Sequence, residues 1–230
     1  LKDGAPYVIT DNINVYREYN GDGQHSWLNI ESGTELQFYG GKRLYIGHDT
    51  GSNGYWGGIQ AEGVTFTAFS EGAENRWGGI TFYNKSWDAD TISNYIKNSL
   101  LENGISNPIF AASPYFRGVT FTGFDDAIQC LSGSHPTVIN STFNGNDDAI
   151  FADGGSQPTA SYNTFTANSR PVYIYPHKID NNLYGNSYSD NAKDYIEVPG
   201  GHLSENKTYH WLEDGAPYVI TDNINVYRNN

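Results

Sequence analysis

Between residues 125 and 198 the chain runs four times through one apolar register, twice in nearly the same words. DDAIQCLSGSHPTV begins at Asp125 and DDAIFADGGSQPTA at Asp147, 22 residues later; RPVYIYPHKI starts at Arg170 and AKDYIEV at Ala192. Apolar residues align in columns along these lines. Ile128, Ile150, Val172 and Ile196 form one, Cys130, Ala152, Ile174 and Val198 another, and Phe121, Phe143, Phe165 and Tyr188 a third. Within each line the apolar positions alternate over runs of three to five residues, the mark of a strand with one buried face. Gly, Asn, Asp, Ser and Pro punctuate the runs as turn signals. A single turn of such a chain cannot bury its own inward side chains. Stacking turns about 4.8 Å apart buries each column against its own kind, so like residues must recur at a fixed spacing. A sandwich of antiparallel hairpins imposes no such columns. The expectation is an all-β parallel β-helix of about ten coils of ~22 residues.

The first half carries the same grammar more loosely. WGGI occurs at 56–59 and again at 77–80, and GVTFTAF at 63–69 is echoed by GVTFTGF at 118–124. Residues 91–104 are the exception: Ile92, Tyr95, Ile96, Ser99 and Leu100 are helix-spaced, which predicts a short helix or an excursion from the stack.

A longer repeat encloses the short one. Residues 1–17 read LKDGAPYVITDNINVYR and residues 212–228 read LEDGAPYVITDNINVYR, with one difference at an offset of 211. A solenoid ends in unpaired backbone, which isolated domains cap. Here the last segment repeats the first. Residues 1–211 are therefore read as one unit and 212–230 as the first coil of the next, near-identical unit. The alternative is that separate chains stack head to tail, a heterologous contact that builds a filament. A chance match without functional meaning is the third reading.

GAPYVITDNINVY, LNIESGTELQF with its E-x-G-T, and the WGGI and GVTFT coils together resemble the pectate-lyase-like right-handed parallel β-helix repeats of large secreted and surface proteins of bacteria and archaea. The resemblance spans nearly the whole chain. It implies the fold; for function it leaves lyases, hydrolases, binding modules and structural spacers open. In the lyases that it implies, stacked Asp residues bind Ca²⁺ that grips a uronate, and a nearby Arg or Lys removes the proton beside the carboxylate.

One column fits part of that pattern. Asp126, Asp148 and Arg170 are 22 apart, Lys193 follows at 23, and Asp125 and Asp147 lie alongside. Asp125, Asp126, Asp147 and Asp148 are the Ca²⁺ candidates, because carboxylates of adjacent coils would lie within about 5 Å, suited to a hard cation. Asp126, Asp148 and Arg170 are the catalytic candidates. The same residues also read as turn formers and an inter-coil ion pair. A third clustered acid and a second Arg are missing for a lyase, and the His-Gly and Arg-Ile-Lys elements of a polygalacturonase-like hydrolase are absent. Trp56 and Trp77 are candidates for an outward aromatic shelf that stacks on sugar rings, against a packing role at the corner of the stack.

Composition excludes several classes. A net charge of −13 and a pI near 4.6 repel phosphate backbones, so no nucleic-acid partner is expected. The six histidines show no zinc spacing, and the Gly-Gly pairs lack a P-loop lysine. One cysteine, Cys130, rules out an internal disulfide framework and reads as a small buried hydrophobe. No apolar run approaches the ~18 residues that a membrane span requires. Met is absent, which fits a mature form or excised piece whose signal peptide would lie upstream. Sequons at Asn84, Asn140 and Asn206 permit an extracellular or cell-surface location. The sequence thus favours a structural repeat of a long extracellular array whose partners are further copies of itself end to end. A glycan-binding, adhesin-like module and a polysaccharide lyase or hydrolase are the alternatives.

Overall fold

A computed structural model describes residues 6–18, 26–48, 55–69, 76–83, 94–204 and 207–227. Short strands stack into three long sheets, each forming one face of a solenoid. From residue 94 to residue 198 each coil contributes one strand to every face. Tyr115–Arg117, Thr120–Thr122 and Asp126–Leu131 make up one coil; Thr137–Ile139, Thr142–Asn144 and Asp148–Ala152 lie on top of it in the same order. The first face has seven strands along its path, the second eight and the third nine. The nine strands of the third face belong to nine successive coils, close to the expected number of about ten. Neighbouring strands are parallel, apart from the short Arg17–Glu18, which runs antiparallel to Tyr55–Glu62 at the edge of the first face.

The predicted columns are the ladder itself. Phe121, Phe143, Phe165 and Tyr188 are paired residue to residue, and their rings stack at 4.9, 4.9 and 5.0 Å. Ile128, Ile150, Val172 and Ile196 are likewise partners in sequence, and Cys130 pairs with Ala152. All of these except Tyr188 are buried, so the core is a column of like side chains running along the axis. Burial pushes the Cys130 thiol up to about 12, in keeping with a packing role.

The spacing of 22 holds only for the later coils. Leu36 pairs with Phe66 and Phe66 with Leu101, gaps of 30 and 35, before Leu101 meets Phe121 at 20. The extra residues of the early coils include 49–54, 70–75 and 84–93, which lie outside the described residues together with Trp87, Asn84 and part of the expected helix. The remainder of that helix, residues 94–104, is two strands instead: Tyr95–Lys97 on the first face and Leu100–Glu102 on the second. Both are held on two sides by parallel partners, and that pairing overrides the weak helical spacing.

Corners follow from backbone chemistry. Between the first and second faces the chain turns through one left-handed residue per coil: Asn98, Gly118, Asn140, Tyr162 and Gly185, with φ of 48°, 65°, 51°, 56° and 68°. Gly and Asn tolerate this region, which is why the turn signals recur at coil spacing. Tyr162 is the bulky exception.

The interior also holds polar columns. Asn146 donates through its backbone N–H and its Nδ2 to Asn168 Oδ1, at 3.0 and 2.9 Å. Asn168 donates in the same two ways to Asn191 Oδ1, and Asn191 to Asp194 Oδ1. A second column runs from Ser141 through Asn163 and Asn186 to Asp214. Each amide takes one coil's donors on its oxygen and gives its own to the next, which satisfies the backbone N–H groups of the buried turns. Both columns end on a carboxylate, which accepts and donates nothing further.

Candidate functional site

The charged column lies on the third face. Asp126, Asp148 and Arg170 occupy corresponding positions on the strands Asp126–Leu131, Asp148–Ala152 and Arg170–Tyr173, in register as the spacing predicts. Arg170 grips Asp148 with two parallel bonds, Nε to Oδ1 at 2.7 Å and a terminal nitrogen to Oδ2 at 2.5 Å. Its guanidinium also lies 3.7 Å from Glu197 and 4.6 Å over the Tyr173 ring. Desolvation opposes the charge on Arg170, but the bonds and attraction from Asp148, with Glu197 behind them, outweigh it and raise its pKa. Lys193 does not extend the column. It precedes the next strand, Ile196–Val198, and bonds to Glu197 at 2.7 Å.

The acids are engaged separately. Asp125 bonds to Arg76 at 2.5 Å, and Arg76 also donates to the carbonyls of Gly104 and Gly123. Asp147 accepts from the Ser169 hydroxyl at 3.3 Å. Asp126 accepts from Gln129 Nε2 at 3.1 Å. Burial, then the neighbouring carboxylates of Asp148 and Asp125, push Asp126 up to about 6. Two of the four Ca²⁺ candidates, Asp125 and Asp148, are thus bonded to arginines, Arg76 and Arg170. Among the described residues no group of three His, Cys, Asp or Glu side chains is placed to hold a metal.

Continuous parallel stacking on three faces narrows the chain to one architecture, and comparison with known proteins agrees. The family described as right handed beta helix region matches residues 28–230. The chain belongs to this family. No curated protein and no solved structure matches it. The right-handed parallel β-helix implied by the repeated motifs is thereby met.

Within this right-handed β-helix the aromatic shelf does not exist as expected. Trp77 is fully buried, stacked between Phe38 at 4.8 Å and Phe66 at 6.2 Å, with its indole N–H bonded to Glu102 O. Trp56 stands on the first face in Tyr55–Glu62, whereas Trp77 leads into the third-face strand Gly79–Phe82. The two WGGI phrases lie on different faces of one long coil, so their spacing of 21 is not a coil repeat.

Sequence reasoning missed two features. The Asn columns are spaced 22 and 23 residues apart, like the Phe column, but Asn was read as a turn signal alone. The second is a cleft of about 670 Å³ beside the last coils, lined by Tyr175, His177, His202 and Tyr209. His177 Nε2 is 2.9 Å from Gly154 O there. No spacing rule joins these residues; the chain brings them together only by folding.

Proposed function

We propose that this β-helix is a structural unit of a long extracellular tandem array or filament at a cell surface, in a sheath or in a matrix, with further copies of itself as its partners. The repetition of residues 1–17 at 212–228 in a chain that stacks without interruption between them is the observation that carries this reading. The charged column supports it. Asp148 and Arg170 hold consecutive coils together. Such a rod gains its stability from repeated burial and continuous backbone pairing, and it leaves proteases few accessible loops along the ladder.

Electron microscopy of the native assembly tests this. Eight ladder steps of ~4.8 Å make the axial repeat about 40 Å. Filaments with that period are expected; discrete, unconnected particles would remove the array reading.

The cleft at His177 and His202 favours a second reading, a glycan-binding module. Its tyrosines could stack on sugar rings while the imidazoles bond hydroxyls. Retention on a polysaccharide column that is lost in Tyr209→Ala would support it.

A further inference from the structure

The repeated segment is in a different place at each end of the molecule. At the start, Tyr7–Ile9 stacks on Glu35–Phe38 of the second face, and Ile13–Val15 on Arg43–Ile46 of the third. At the finish, the identical residues Tyr218–Ile220 stack on Ile196–Val198 of the third face, and Ile224–Tyr227 on Gly201–Ser204. All four strands of the repeated segment are edge strands of their sheets.

The two copies use opposite edges of the same strand. In a parallel strand, alternate residues direct their backbone groups to alternate neighbours. Ile9 O accepts from Tyr39 N at 2.9 Å and Val15 O from Gly47 N at 3.0 Å, so these residues bond to the coil that follows. In the second copy Thr221 N donates to Val198 O at 3.0 Å, Pro217 O accepts from Ile196 N at 2.9 Å, and Asn223 O accepts from Gly201 N at 3.0 Å. Those residues bond to the coil before. Ile220 and Val226, the counterparts of Ile9 and Val15, are left aiming their backbone groups at open space. The pairings of the two copies do not compete.

Side chains give the same answer independently. Tyr7 and Ile9 lie opposite buried Leu36 and Phe38; Tyr218 and Ile220 lie opposite buried Ile196 and Val198. The same two side chains therefore lie on the inner side of the ladder in both settings, where Tyr7, Ile9 and Tyr218 pack against the core and Ile220, at the open end, remains exposed. Val15, covered by the following coil, is 7% exposed, whereas its counterpart Val226 is 66% exposed and Ile220 is 52% exposed. The end of the stack leaves uncovered what a following coil covers at the beginning.

We infer that residues 212–227 are a shared junction strand pair whose free edge receives the coil Glu35–Ile46 of a following copy of this chain. The third face of one unit then runs into the second face of the next, and the Gly201–Ser204 ladder into its third, so successive units are turned by one face. This rests on the array reading above and specifies how its units join.

The test is a joined chain, residues 1–211 followed directly by residues 1–230, compared with the single chain by residue-resolved amide exchange. In the joined chain the junction amides of Tyr218, Ile220, Ile224 and Val226 are expected to exchange at least ~100-fold more slowly than in the single chain, while those of Val219 and Thr221 are protected in both. Electron microscopy of the same sample should show one rod of doubled length. A doubled rod in which Tyr218 and Ile220 still exchange fast overturns the shared strand but leaves the array reading intact. Two separate lobes overturn the shared strand as well, whereas the array reading fails on its own if the native material holds no filaments.

Discussion

Asp126 occupies a position where depth and neighbouring charge act against its ionisation. Its strand partner Asp148 carries the arginine, and Asp125 adds a second negative charge beside it. A folded-state pKa of about 6, against an ordinary value of 3.8, means that the folded protein holds this proton more tightly than the unfolded chain does. Below pH 3.8 the group is protonated in both states and costs nothing. The cost grows as pH rises from there to about 6 and is complete above it. Replacing the carboxylate with the neutral amide in Asp126→Asn should therefore stabilise the protein at pH 7.5 by about 1 kcal/mol, a figure discounted for the solvent that reaches this half-buried group. At pH 3.5 the gain should vanish. Urea denaturation at the two pH values measures it, and equal gains at both would show that the charge is not the cause.

At the scale of the element, the polar column matters as much as the apolar one. Asn168 is 1% exposed and serves three coils: its Oδ1 receives two donors from Asn146, its Nδ2 bonds to Phe143 O at 3.0 Å, and both its donors reach Asn191. Asn168→Ala keeps the turn but removes the acceptor of the buried Asn146 N–H, leaves the Asn146 amide with Phe121 O alone, and takes one donor each from Phe143 O and Asn191 Oδ1. A buried donor left without a partner costs about 1–3 kcal/mol, so a loss of about 2–3 kcal/mol is expected by chemical denaturation. A change below about 1 kcal/mol would mean that water replaces the amide. The Phe and Asn columns are equally present in the sequence, because parallel in-register stacking repeats whatever residue a position demands. The Asn column is masked in the sequence because Asn has a second, commoner meaning in turns. In the early coils the signal failed for a physical reason. Insertions between strands change the spacing without disturbing the ladder, so Trp56 and Trp77 matched in phrase but not in place. The residues around His177 could not be foreseen at all, since no periodicity links Tyr175 with Tyr209.

At the scale of the whole molecule, one peptide occupying two settings explains why the ends resist reading from sequence. Pairing belongs to the neighbour as much as to the strand, and PYVITDNINVY finds different neighbours at each end. The second copy of the repeated segment is also wired into the interior. Asp214 is 1% exposed and closes the second polar column, accepting from Asn186 and, at 2.8 Å, from the Tyr188 hydroxyl. Burial and then this carboxylate push the Tyr218 hydroxyl up to about 12. One side of the segment is thus fastened to its own chain while the other stays open, and a substitution can be aimed at the open side alone. Ile220→Lys places an ammonium on a residue that is half exposed in the single chain, where the cost should stay within about 0.5 kcal/mol. At a junction the same side chain would lie beside Phe38 of the following copy, and an unpaired charge buried there costs several kcal/mol. The variant should therefore melt with the parent chain yet disrupt the joining of units, seen as a loss of rod length in the joined chain by electron microscopy. Rods of full length carrying Ile220→Lys would mean that units meet through some other surface.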